Sequence, residues 1–120
     1  MRFTLEPRKW YAAEILSEEF SDSIRSFTPI KVNDLTFHGG GKRMFTMEFY
    51  HANYPSGVRD KIYQLKTLER NREFILAVST EHNPKRTLLI YPISTEWLNK
   101  NCLANVEAGE TAEGWLERNA

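Results

Sequence analysis

Residues 44–50 read "MFTMEFY", in which Phe45, Met47 and Phe49 alternate with Thr46, Glu48 and Tyr50. A period of two places the three apolar side chains on one face of a strand and the more polar set on the other. Working upstream, "PIKVNDLTF" (29–37) changes the parity of its apolar residues from Ile30 and Val32 to Leu35 and Phe37, which predicts a bulge or bend at Asn33-Asp34. Gly39 to Gly41 supply the turn into the next strand. Downstream, Ile62 to Leu68 sets β-branched and aromatic residues between charged ones, and "YPSG" (54–57) carries the Pro and Gly of a connecting turn. These two runs are expected to pair as a hairpin. A second hairpin follows from "FILAVS" (74–79) and "TLLIYPI" (87–93), which flank the polar loop "TEHNPKR". Their strands are apolar on both faces, as expected beneath a covering helix.

The ends of the chain are less regular. In the 8–20 segment, "KWYAAEIL" mixes helix-favouring Ala, Glu and Leu with strand-favouring Trp10, Tyr11 and Ile15, and a strand is the reading taken. After Pro92, Ser94 caps an expected helix with Glu96 in its first turn and Trp97, Leu98, Cys102 and Val106 at helical spacing, ended by Gly109. Residues 110–120 read as a short helical turn or a frayed tail. The fold class expected is α+β: an antiparallel meander of about five or six strands, as an open sheet or a small partly open barrel, with a C-terminal helix. Phe45, Met47, Phe49, Leu76, Val78, Leu89 and Ile90 are the expected core.

At 120 residues the chain fits one domain spanning 1–120, and 41% hydrophobic with 27% charged residues is a globular composition. The formal net charge is zero, which opposes a protein whose main task is to coat nucleic acid. The sign is unevenly spread, however. Residues 31–72 carry a net +4 and residues 94–120 a net −3, a pattern that suggests attraction within one chain or between subunits. The lone Cys102, among Trp97, Leu98 and Leu103, reads as a small buried hydrophobe and favours a reducing compartment. "MRFTLEPRKWYAAEIL" lacks the apolar core of a signal peptide, and the longest apolar run, "LLIYPI", suits a strand, so the expectation is a cytoplasmic chain outside the membrane.

Few motifs carry chemistry. "HGGG" (38–41) matches part of an esterase oxyanion hole, but Ser56-Gly57 has no glycine two residues before the serine. "GGGKR" lacks both the earlier glycine and the following Ser or Thr of a phosphate-binding loop. His38, His51 and His82 fall in three segments without chelating spacing, so no metal or other cofactor is expected. Glu14, lying among apolar residues, is the carboxylate best placed for burial, yet it has no partner in sequence for acid–base work.

Three functional readings follow. The preferred one is a small non-catalytic interaction domain that self-associates, because three Trp, five Tyr and seven Phe in so short a chain provide aromatic anchors. A protein partner or a second copy is then the expected partner. The second is a single-strand nucleic-acid binder, with Lys42, Arg43, Arg59, Lys61 and Lys66 lining one face and Tyr50, Tyr54 or Tyr63 as stacking platforms. The third is a small-ligand binder or enzyme with a pocket near His51 that uses Tyr54, Arg59 and Glu48. The candidate binding residues are therefore Lys42, Arg43, Tyr50, His51, Tyr54, Arg59 and Lys61, with no catalytic set.

Overall fold

The computed structural model describes residues 2–17, 26–38, 42–50, 62–81, 85–102 and 104–119, with the backbone alone at Phe37, His38, Lys42 and Arg43. Among the described residues six antiparallel strands run in chain order: β1 (Trp10–Ile15), β2 (Phe27–His38), β3 (Lys42–Phe49), β4 (Tyr63–Arg70), β5 (Ile75–Ser79) and β6 (Thr87–Tyr91). Each pairs with the next, and β1 also pairs with β6, setting Ala12 opposite Tyr91 and Ile15 opposite Leu88. The meander is thus a closed barrel, in which each described strand has a neighbour on both edges. The ambiguous N-terminal segment is the strand that closes it. β1 is buried along almost its whole length because it has a neighbour on either edge and a core on either face.

Alternation sorts the residues between two cores. Tyr11, Ala13, Ile30, Val32, Phe45, Met47, Phe49, Tyr63 and Leu65 fill the barrel with Ile75, Ala77, Leu88 and Ile90. The pairing of β2 with β3 shifts between Val32 and Asp34, the position at which the apolar parity changes. A second shift, between Thr67 and Glu69, lets Leu68 bulge to the surface. Of the expected core, Phe45, Met47, Phe49, Val78 and Ile90 are buried, whereas Leu76 and Leu89 are partly exposed. Those two face each other across β5 and β6 on the outside, and Ile75, Ala77 and Leu88 take the inward places. Runs apolar on both faces carry no alternation from which to choose a side.

The second core lies outside the barrel, under the C-terminal segment. Helix α1 (Thr95–Asn101) begins where expected, with the Ser94 hydroxyl accepting from the Trp97 amide at 3.1 Å. It does not run to Gly109. It ends at Asn101 with Cys102 as its cap, and the Asn99 side-chain oxygen accepts from the Val106 amide at 3.0 Å, turning the chain back. Gly109, at φ +86, instead forms a turn that leads into helix α2 (Ala112–Asn119). Residues 112–119 are therefore a packed helix and not a frayed tail, because Ala112 and Leu116 on one side are buried. The helices cover the outer face around Trp10, and of the second hairpin they reach the Tyr91 end of β6, whose hydroxyl accepts from the Trp97 indole N–H at 2.7 Å, while Leu76 and Leu89 stay partly exposed.

Cys102 is 7% exposed within this second core. Its thiol is expected to react with an aromatic disulfide reagent only as fast as the core opens, so its labelling rate rises with denaturant. Labelling within the mixing time without denaturant would place it at the surface. No described helix is long and apolar enough to cross a membrane.

Candidate functional site

Trp10 is the first residue of β1, and its indole points out of the barrel because Tyr11 points in. It is 2% exposed, in a cluster with Leu98, Cys102, Ala112 and Leu116, flanked by Tyr50, Ile93, Trp97, Val106 and Trp115. All three tryptophans of the chain thus gather on one side of the barrel. Tyr50 meets Trp10 edge-to-face at 6.1 Å between ring centroids and Trp115 at the same separation, geometries that aromatic quadrupoles favour. Burial pushes the Tyr50 hydroxyl above its ordinary range, so it stays a protonated donor, and it donates to the Asn119 carbonyl at 3.4 Å.

Glu117 ties α2 to this face. One oxygen, Oε1, accepts from the Trp10 indole N–H at 2.8 Å and from the Lys31 ammonium at 3.0 Å. The same ammonium sits 5.6 Å from the Trp10 ring centroid. Lys31 from the basic middle of the chain and Glu117 from its acidic end therefore meet within one molecule. Because the Glu117 side chain is 55% exposed, screening keeps the ion pair to about 1 kcal/mol or less, and it serves to set helix orientation. Most of the adhesion comes from burial of Ala112, Leu116 and Trp10.

Beside the indole the surface opens into a groove of about 630 Å³, within the range of ligand and peptide sites. Its floor is Phe3, Trp10, Tyr11 and Ile93; Arg2, Glu6, Lys9 and Glu113 stand on its rim. Lys9 bonds Glu6 at 2.7 Å, and that hydrogen bond raises its pKa above the ordinary lysine value. Burial likewise raises the Tyr11 hydroxyl, which accepts from the Glu6 amide at 2.8 Å. The groove thus combines an apolar floor with a rim of both charge signs. By contrast the barrel interior is packed, and the cavity at its end, under Leu5 and beside Arg70, measures only about 40 Å³.

Of the residues singled out from sequence, Tyr50 joins the Trp10 cluster. Lys42 and Arg43 lie at the start of β3, opposite His38 and Phe37. His51, Tyr54, Arg59 and Lys61 lie outside the described residues, so the pocket expected near His51 does too. Glu48 faces outward opposite Lys31, and Glu14, also outward, is only partly buried. Tyr63 is not available as a stacking platform, since its ring lies inside the barrel edge-to-face with Phe49 at 5.3 Å. Among the described residues no three His, Cys, Asp or Glu side chains converge as metal ligands. Trp10 and Glu117 were missed as a pair. Their 107-residue separation leaves no local signal. Comparison with protein-family models, curated proteins and solved structures finds no match to this chain.

Proposed function

We propose that the chain is a small, non-catalytic interaction domain that associates with copies of itself. What supports this reading is the outer face around Trp10, where aromatic side chains and Lys31 receive the amphipathic helix α2 and an open charged-rim groove lies beside it. Helix-in-groove recognition uses the same elements: an apolar helix face, aromatic anchors and a flanking ion pair that sets direction. A cytoplasmic setting, in which the Cys102 thiol stays reduced, accords with its place in that core. The test is sedimentation equilibrium from micromolar to near-millimolar concentration. A reversible monomer–dimer equilibrium is the expected result, and a single monomeric species throughout overturns the reading.

A further inference from the structure

We infer that copies of this chain associate by exchanging α2, each helix leaving its own barrel and seating against Trp10 and Lys31 of the second copy. The inference rests on the self-association proposed above and names its partner segment. Three observations lead to it.

The polar ends of the helix are satisfied by its own segment. The Thr111 hydroxyl accepts from the Gly114 amide at 3.0 Å, the Arg118 guanidinium bonds Glu110 at 2.7 and 3.1 Å, and the Asn119 side chain donates to the Trp115 carbonyl at 2.8 Å. All of these travel with α2 when it moves. Its attachment to the barrel, in contrast, is through side chains: Leu116 and Ala112 by packing, Glu117 by its bonds to Trp10 and Lys31, and the Tyr50 hydroxyl on the Asn119 carbonyl.

The second observation is a hinge. Residues 107–109 are exposed and form a turn closed by the Glu110 amide on the Glu107 carbonyl at 3.1 Å, with Gly109 at φ +86. Opened to an extended chain, residues 107–110 span about 13 Å. An extended hinge of that length frees the helix to leave its own barrel.

The third is the fit itself. A helix of eight residues is not stable alone in water, so an undocked α2 needs a groove to fold against. The barrel face that suits it is one whose Lys31 ammonium and Trp10 indole N–H both donate to the same Glu117 oxygen, and a second copy offers the identical surface. Two copies then satisfy two helices in a closed, isologous dimer. Because the docked contacts are the same in the closed and exchanged forms, concentration and the hinge decide between them.

The experiment uses two full-length variants, Lys31→Glu and Glu117→Lys, each carrying like charges at the clasp, alone and mixed. In a mixed dimer, exchange seats the unaltered helix of the first variant in the unaltered groove of the second, which restores the native Lys31–Glu117 pair. In the other groove the introduced carboxylate meets the introduced ammonium, so opposite charges face each other there too. The mixed dimer is expected to have an association constant about tenfold above either homodimer's, read by native mass spectrometry and sedimentation. Equal constants for mixed and like dimers, with the unmodified chain dimeric, overturn the exchange while leaving self-association standing. An unmodified chain that stays monomeric overturns self-association and the exchange with it. Gly109→Ala provides a second measurement that leaves both charges in place. A Cβ there meets nothing within 4 Å, so the change acts on the backbone alone, penalising the closed turn. Relief of two such turns per dimer raises the association constant about tenfold or more. A constant unchanged or lowered overturns the hinge.

Discussion

Phe49→Ala lowers the unfolding free energy by about 3–5 kcal/mol in chemical denaturation, the cost typical of a large aromatic removed from a packed core. Phe49 is 1% exposed, lies opposite Ile30 across the β2–β3 pair, and holds the Tyr63 ring edge-on. Its loss leaves a cavity that the closed barrel cannot collapse, because each strand is fixed by a neighbour on both sides. For a domain whose whole stability is of the order of 5–15 kcal/mol, such a loss consumes a large part of the margin. A change under about 1 kcal/mol would mean that the ring faces outward, contrary to the register.

Trp10→Ala is expected to cost a similar ~3–5 kcal/mol, with a different spatial signature. Removing the indole takes the centre out of the second core and the N–H that Glu117 accepts. Amide exchange in α2 accelerates more than exchange in the barrel strands, since the helix loses its main anchor while the strand ladders remain. Trp97 and Trp115, which flank the same core, still report on it by fluorescence. Trp10→Phe separates the two contributions, keeping most of the bulk and costing about 1 kcal/mol for the lost hydrogen bond. Equal acceleration of exchange across strands and helix in Trp10→Ala would contradict separate cores.

How far each segment could be read from its residues depends on its physics. Where one face is buried and the other wet, as in Phe45, Met47 and Phe49, alternation names the inward side, and the β2 bulge was legible as a change of parity. Where both faces are apolar, as in β5 and β6, the strands were legible but their facing was not, and Leu76 and Leu89 were placed inside wrongly. Closure of the barrel turns on a β1–β6 pairing that no local pattern encodes. The Ser94 cap marked where the first helix starts, yet helical spacing from Trp97 to Val106 hid its early end, because Asn99 turns the chain back through a side chain. Of the candidate site, Tyr50 alone was singled out in the sequence, as the polar-side neighbour of the β3 alternation. That Trp10, Lys31 and Glu117 would converge was not legible, since convergence depends on which face of the barrel the last helix covers.

The pairing of β1 with β6 also sets an order of events during synthesis. β1 is made first among the strands, yet the partner for its second edge emerges more than seventy residues later, Tyr91 for Ala12 and Leu88 for Ile15. At ribosomal rates of about 5–20 residues per second, that edge waits roughly 4–16 s. Through this interval Trp10 and Tyr11 lack the helix and the closed barrel that later bury them. The nascent chain therefore carries the outer edge of β1 unpaired until β6 has been made, and slowing the ribosome between residues 16 and 86 lengthens that exposure.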